Sequence, residues 1–314
     1  MRGNGGAPGW DPQRLPRQDG SVAVVTGANA GLGFFTTYAL ASTGMRVVLA
    51  CRNRERANAA LRALRTRLPG ADLDVLLLDT ADLASVRRAG EQVAAYERLD
   101  VLVANAGMVH PPRHRTVSPD GNELVLATNH LGHFAFIQAA MPALARTTGS
   151  RVVNLGSMVS RLMPSQLTDL QLEQHYSGAR AYAQSKIAVQ LFGFELDRRL
   201  RNAGVGVSSL VAHPGYAISG NTPRVPGVNE PTWPRRFADS LQQLIGAQGK
   251  NRGAEALVRA ALDPAVTGGQ YVGPRYVVRG APVVQAPTSA SLDPALAGRL
   301  WSLSEQYTGT SFVL

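Results

Sequence analysis

From Ser21 onward, short β-branched runs alternate with longer stretches of helical period. Runs this continuously apolar suit strands of a parallel sheet covered on both faces. The pattern predicts strands at 21–26, 46–51, 73–78, 100–104, 151–155 and 206–211, with a weaker one at 270–273. Helices are predicted between them at 31–43, 54–68, 82–97, 121–146, 179–203 and 251–263. In 83–97, Leu83, Val86, Ala89, Gly90, Val93 and Ala94 form a small-apolar stripe behind Asp82. Two segments break the alternation, 158–178 and 214–250, the second carrying five prolines. Irregular stretches of that length in a compact domain are usually functional lids or insertions. The last stretch, 274–314, has no sheet-like pattern but predicts a short helix at 294–306. The expected architecture is α/β: one doubly wound, mostly parallel sheet of seven strands with helices on both faces. It runs over 21–275, behind a loose lead at 1–20 and ahead of a packed tail at 276–314.

With 314 residues, 45% hydrophobic and 17% charged, the chain can bury a substantial core, which excludes a disordered or collagen-like polymer. The formal charge of +10 would permit nucleic-acid binding, but aromatics are 6% and no basic recognition motif is present, so surface arginine is the favoured reading. Only Lys186 and Lys250 are lysines. The single cysteine, Cys51, allows no disulfide within the chain and no cysteine zinc site, and it points to an intracellular, cytoplasmic setting. No apolar run approaches the ~18 residues of a membrane span, and Met1 to Gly20 lacks a signal-peptide core.

Directly after the first strand stands Thr26-Gly27-Ala28-Asn29-Ala30-Gly31-Leu32-Gly33, opening a helix. Its glycines permit a tight turn and close backbone approach, and the helix start attracts a pyrophosphate. A glycine turn alone also serves plain strand-to-helix packing. The spacing G-x-x-x-G-x-G departs from the generic dinucleotide fingerprint and resembles the first turn of the short-chain dehydrogenase/reductase family. In such a fold, Gly27, Asn29, Ala30, Gly31, Leu32 and Gly33 would line the cofactor. At the end of the second strand an acid favours NAD and a cation favours NADP; here Cys51 is followed by Arg52, with no acid before Glu55. NADP(H) is therefore expected, with Arg52 the ligand and Asn53 or Arg54 beside it. By the same resemblance Asp79 would hold the adenine, although a loop or capping role is equally open to it, and Thr80 replaces the usual apolar residue. Asn105-Ala106-Gly107 resembles the family's turn beside the cofactor ribose.

Tyr182 and Lys186 stand four apart in a predicted helix, hence on one face. A tyrosine acting as acid or base near pH 7 must be brought down from about 10, roughly 4 kcal/mol. A neighbouring cation contributes to that, so Lys186 is expected to depress Tyr182 and to hold the nicotinamide ribose. A surface Tyr/Lys pair is the bland alternative; the scarcity of lysine and the order of motifs argue against it. The resemblance further implies that Ser157 polarises the substrate carbonyl, Gly156 replacing a second serine, and that Asn129 continues a proton relay. It also places Pro214, Gly215, Ala217 and Ser219 against the nicotinamide. His130 and His133 are read as packing or helix-contact residues, not a metal pair. The stretch 128–134, the Ser157-to-Tyr182 gap and the tail resemble the retinol-dehydrogenase-like branch.

The expected activity is hydride transfer between NADP(H) and a carbonyl or alcohol. Met158, Leu162, Met163, Tyr176, Tyr216 and Trp233 suggest a bulky, apolar small molecule. A protochlorophyllide-reductase-like enzyme is disfavoured because no cysteine follows Lys186. A non-catalytic NADP-binding scaffold is disfavoured because Ser157, Tyr182 and Lys186 are all retained. The resemblance implies a homodimer through 121–146 and 179–203.

Overall fold

In the computed structural model, residues 10–12, 14–161, 167–242 and 246–314 are described. Half of the lead at 1–20, together with Leu162 and Met163, lies outside them. The strands are β1 (Val22–Thr26), β2 (Arg46–Cys51), β3 (Leu73–Leu77), β4 (Val101–Ala104), β5 (Arg151–Leu155), β6 (Ser208–Ala212), β7 (Ala217–Ile218), β8 (Gln248–Gly249), β9 (Tyr271–Pro274) and β10 (Pro282–Gln285). The helices are α1 (Gly31–Ser42), α2 (Arg54–Arg67), α3 (Leu83–Ala94), α4 (Leu124–Leu126), α5 (Gly132–Arg146), α6 (Gly178–Asn202), α7 (Trp233–Leu241), α8 (Lys250–Leu262) and α9 (Pro294–Thr308). A π-helical turn, Ala127–Leu131, joins α4 to α5.

The main sheet has the order β10-β9-β6-β5-β4-β1-β2-β3, parallel except for β10. This is the Rossmann-like α/β arrangement with eight strands rather than seven. The extra strand comes from the tail, which was expected to carry no sheet pattern. β10 is short, begins with a proline and pairs only with β9 at the edge, where a missing N–H is tolerated. β7 and β8 form a separate two-residue ladder.

Strand residues alternate between two apolar layers, as the two-residue period requires. Ala23, Val25, Val47, Leu49, Val101, Val103 and Val153 face Phe34, Leu40, Leu64 and Leu257, on α1, α2 and α8. Val24, Val48, Leu102 and Val152 face Val86, Phe134, Phe136 and Phe192, on α3, α5 and α6. Each fully buried large side chain contributes ~1.5–3 kcal/mol. α9 closes the second layer: Trp301 and Phe312 join Phe134 and Phe192 in one aromatic cluster. The tail thus occupies part of the α5 and α6 face through which pairing of two copies was expected. No described helix is long and apolar enough to cross a membrane.

The strands β1, β2, β3, β4, β5 and β6 all end at one edge of the sheet, and β1 and β4 lie side by side. Ligands of open α/β sheets bind outside the carboxyl ends at such a reversal of strand order.

Candidate active site

At the end of β1 the turn folds back on β4. The Thr26 hydroxyl accepts from Asn105 N and Ala106 N at 2.9 and 2.8 Å, and Asn105 Nδ2 donates to the Thr26 carbonyl at 2.7 Å. A Cβ on Gly33 would lie 2.4 Å from the Gly27 carbonyl oxygen, so any larger residue would push α1 off the turn. Asn29 and Ala28 direct their N–H groups at Cys51, whose thiol burial pushes up to about 11. The start of α1 stays open: Ala30 makes no side-chain cap and no acid stands in the first turn. An uncapped helix start on a glycine turn, half-exposed at Asn29, Gly31 and Leu32, fits an anionic pyrophosphate.

Arg52 is exposed at the end of β2. Asn53 caps α2, accepting from Arg56 N at 2.9 Å, so helix capping accounts for that side chain. Asp79 accepts from Ala81 N at 3.0 Å and Thr80 is buried; the loop role open to Asp79 is present. Neither Arg52 nor Asp79 touches the candidate catalytic groups, which gather further along the same edge of the sheet.

Those groups converge from three elements. Ser157 follows β5, Tyr182 and Lys186 share a face of α6, and Asn129 stands in the π turn, an irregularity that often marks functional positions. The Ser157 side chain hydrogen-bonds the Tyr182 phenol. Lys186 Nζ is buried and donates to the Leu155 carbonyl at 2.8 Å. Asn129 Oδ1 accepts from Met108 N at 2.6 Å, and its Nδ2 donates to the Ser185 hydroxyl at 2.9 Å, which donates to the Tyr182 carbonyl at 2.8 Å. Gly107 brings the ends together: a Cβ there would lie 3.1 Å from Asn129 Oδ1 and 3.7 Å from Lys186 Nζ.

The electrostatics differ from the expectation in one respect. Burial is the larger influence on Tyr182 and pushes the phenol up, the Ser157 hydrogen bond opposing it. Burial also lowers Lys186 to about 8. The chain alone therefore holds Tyr182 protonated rather than poised near neutrality.

Gly156, standing where a second serine was expected, has a steric reason. A Cβ there would lie 3.0 Å from Val211 Cγ1 and 3.1 Å from Gln190 Cγ. Gln190 itself was missed: it donates to the Ser157 carbonyl at 2.7 Å, and the Tyr271 hydroxyl donates to the same oxygen at 3.3 Å. Its position, four residues beyond Lys186, was the available signal.

His133 makes the helix contact open to it and a second one, to the end of β1. Its Nδ1 lies 3.1 Å from the Asn129 carbonyl and its Nε2 2.8 Å from Thr26 Oγ1. A carbonyl only accepts, so Nδ1 carries the proton and Thr26 donates to Nε2. His130 meets Ser304 Oγ at 2.7 Å, and the described residues hold no cluster suited to a metal.

Beyond β6, Pro214 and Ala217 close the cleft opposite Leu32; all three lie about 3 Å from where a Cβ on Gly253 would point. Gly215 adopts φ 66° beneath the Val278 carbonyl. Ser219 contributes its carbonyl to Thr222 N. Of the expected substrate wall, Tyr176 donates to the Pro112 carbonyl at 3.0 Å and packs against the cluster of Val125, Leu172 and Ala181. Met158 is half-buried and Tyr216 bonds Gln242. Trp233 is 77% exposed on α7, a helix missed because its apolar positions face no core.

A family model described as short chain dehydrogenase matches residues 21–224. The polyprenol dehydrogenase of Mus musculus is 37% identical over 303 residues, covering 95% of this chain and 87% of that one. The retinol dehydrogenase 13 of Homo sapiens is 38% identical over 200 residues, covering 63% of this chain and 59% of that one. A crystal structure of an uncharacterised protein from Mycobacterium paratuberculosis superposes with a TM-score of 0.79 at 34% identity, covering 98% of this chain and all of that one.

Proposed function

The chain belongs to the short-chain dehydrogenase/reductase family and is retinol-dehydrogenase-like, and from that premise we propose that it interconverts an apolar aldehyde or ketone and its alcohol with NADP(H). The observation that carries the reading is the convergence of Ser157, Tyr182, Lys186 and Asn129 at the carboxyl edge of the sheet, beside an open phosphate turn.

When bound, the nicotinamide supplies or takes up the hydride. Gly27, Asn29, Ala30, Gly31, Leu32 and Gly33 would hold its pyrophosphate, and Asn105, Ala106 and Gly107 with Lys186 its ribose. Pro214, Gly215, Ala217 and Ser219 would flank the nicotinamide. Arg52 would take the 2′-phosphate, with Asn53 beside it; Asp79 and Thr80 would border the adenine. Tyr182 delivers its proton to the carbonyl oxygen in reduction, a task for which its raised pKa keeps it loaded at neutral pH. Ser157 donates to the same oxygen as charge gathers there. Alcohol oxidation needs the phenolate, which Lys186 favours while it keeps its charge, below about pH 8. Asn129, through Ser185, fixes the backbone beneath Tyr182 and marks the route by which the proton is replaced.

The polyprenol and retinol dehydrogenase relatives favour a long isoprenoid alcohol or aldehyde as substrate. The test is a turnover with NADPH deuterated at nicotinamide C4 and an isoprenoid aldehyde. One deuterium on the product carbinol carbon supports the reading, and product without deuterium from either C4 face contradicts it.

A further inference from the structure

The chain has two lysines, and the chemistry above uses only Lys186. Lys250 opens α8, far from the phosphate turn in sequence. In the fold its Nζ lies 3.4 Å, and its Cδ 3.2 Å, from where a Cβ on Gly31 would point. Three anchors set that position. Lys250 N donates to Thr222 Oγ1 at 2.8 Å. Gln248 and Gly249, immediately before it, pair in register with Ala217 and Ile218. Gly253, three residues on and hence on the same helix face, packs against Leu32, Ala217 and Pro214. The lysine stem is thereby laid along the turn, with its ammonium at the uncapped start of α1.

We infer that Lys250 is a cofactor-binding residue that brings a full positive charge to the dinucleotide pyrophosphate from across the cleft. The inference rests on the dinucleotide reading above. A helix start offers only about half an elementary charge to a group that carries two negative ones, and residues 26–33 contain no cation. Lys250 supplies what the turn lacks. Arg52 then reads the 2′-phosphate, which only NADP(H) has, and Lys250 the pyrophosphate, which both dinucleotides share.

The test is equilibrium binding of NADPH and of NADH, by calorimetry, to the wild-type chain, Lys250→Met and Lys250→Arg. Lys250→Met is expected to raise both Kd values by the same factor, about tenfold, the size of one charge-assisted contact. It is also expected to flatten the salt dependence of binding. Lys250→Arg should stay within about twofold of wild type, since the charge is kept. Unchanged Kd values in Lys250→Met, or a loss confined to NADPH, would overturn the assignment. Should Lys250→Met fail to fold, Lys250→Gln carries the same comparison. If the wild-type chain binds neither dinucleotide, the dinucleotide reading itself fails; if it binds and the variants do not differ, only Lys250 is misassigned.

Discussion

At the proposed phosphate end of the cleft the chain presents backbone: a glycine turn, an uncapped helix start, the Asn105 and Ala106 amides donating to the Thr26 hydroxyl, and the Thr26 carbonyl accepting from Asn105 Nδ2. At the reacting end it presents buried side chains on α6 and the π turn, each tied to a carbonyl or hydroxyl from another element. The first end is intolerant of added volume, because its neighbours are main-chain atoms. The second depends on charge and protonation, because burial sets what its groups can hold. His133 joins them, accepting from Thr26 and donating to the Asn129 carbonyl.

Each half of that contrast can be broken separately. The largest effect is expected at the phosphate end. Gly33→Ala places a methyl 2.4 Å from the Gly27 carbonyl, a contact no rotamer relieves. Dinucleotide affinity should fall at least ~100-fold and the unliganded Tm by several degrees, a shift of about 1–3 kcal/mol from overpacking. A protein of normal Tm and affinity would show that the turn has room it is not credited with.

Lys186→Met should behave oppositely. Turnover is expected to drop ~100-fold or more, while Tm holds or rises, because a desolvated ammonium is replaced by an apolar chain of similar length. A fall in Tm comparable to that of Gly33→Ala would mean that the lysine is held for structure.

The bridge is tested by pH, with a smaller effect. Burial takes His130 to about 3 and His133 to about 4, against an ordinary value near 6.5. Folding keeps both imidazoles neutral where the unfolded chain would protonate them. Stability is therefore fully present above about pH 6.5 and is lost as pH falls from there, toward about 4 for His133 and about 3 for His130, by up to ~1.4 kcal/mol per pH unit for each histidine. Denaturant unfolding at pH 7.5, 6.5 and 5.5 reads the slope, and His133→Gln should remove about half of it. An unaltered slope would release His133 from the bridging role.

The same contrast explains what was legible in the sequence. Runs such as Val22–Thr26 and Arg46–Cys51 declare themselves because both faces are buried, and Tyr182 with Lys186 declares itself by a local spacing on one helix. β10 and α7 do not: one is a four-residue edge strand with Val284 exposed, the other turns Trp233, Phe237 and Leu241 outward. The π turn shifts register by a residue that a helical period does not record. Within the site, Ser157, Lys186 and Asn129 could be named, but their partners could not. The Leu155 carbonyl carries no side-chain signature, and Gln190, Tyr271 and Lys250 reach their places only through packing between distant elements.

Proton transfer by Tyr182 is decided by Tyr182→Phe, with dinucleotide binding and NADPH-dependent aldehyde reduction measured on the same preparation. An unchanged Kd for NADPH with turnover lower by ~10²–10⁴ is expected; turnover within about threefold of wild type on a true substrate would show that the proton moves by another group.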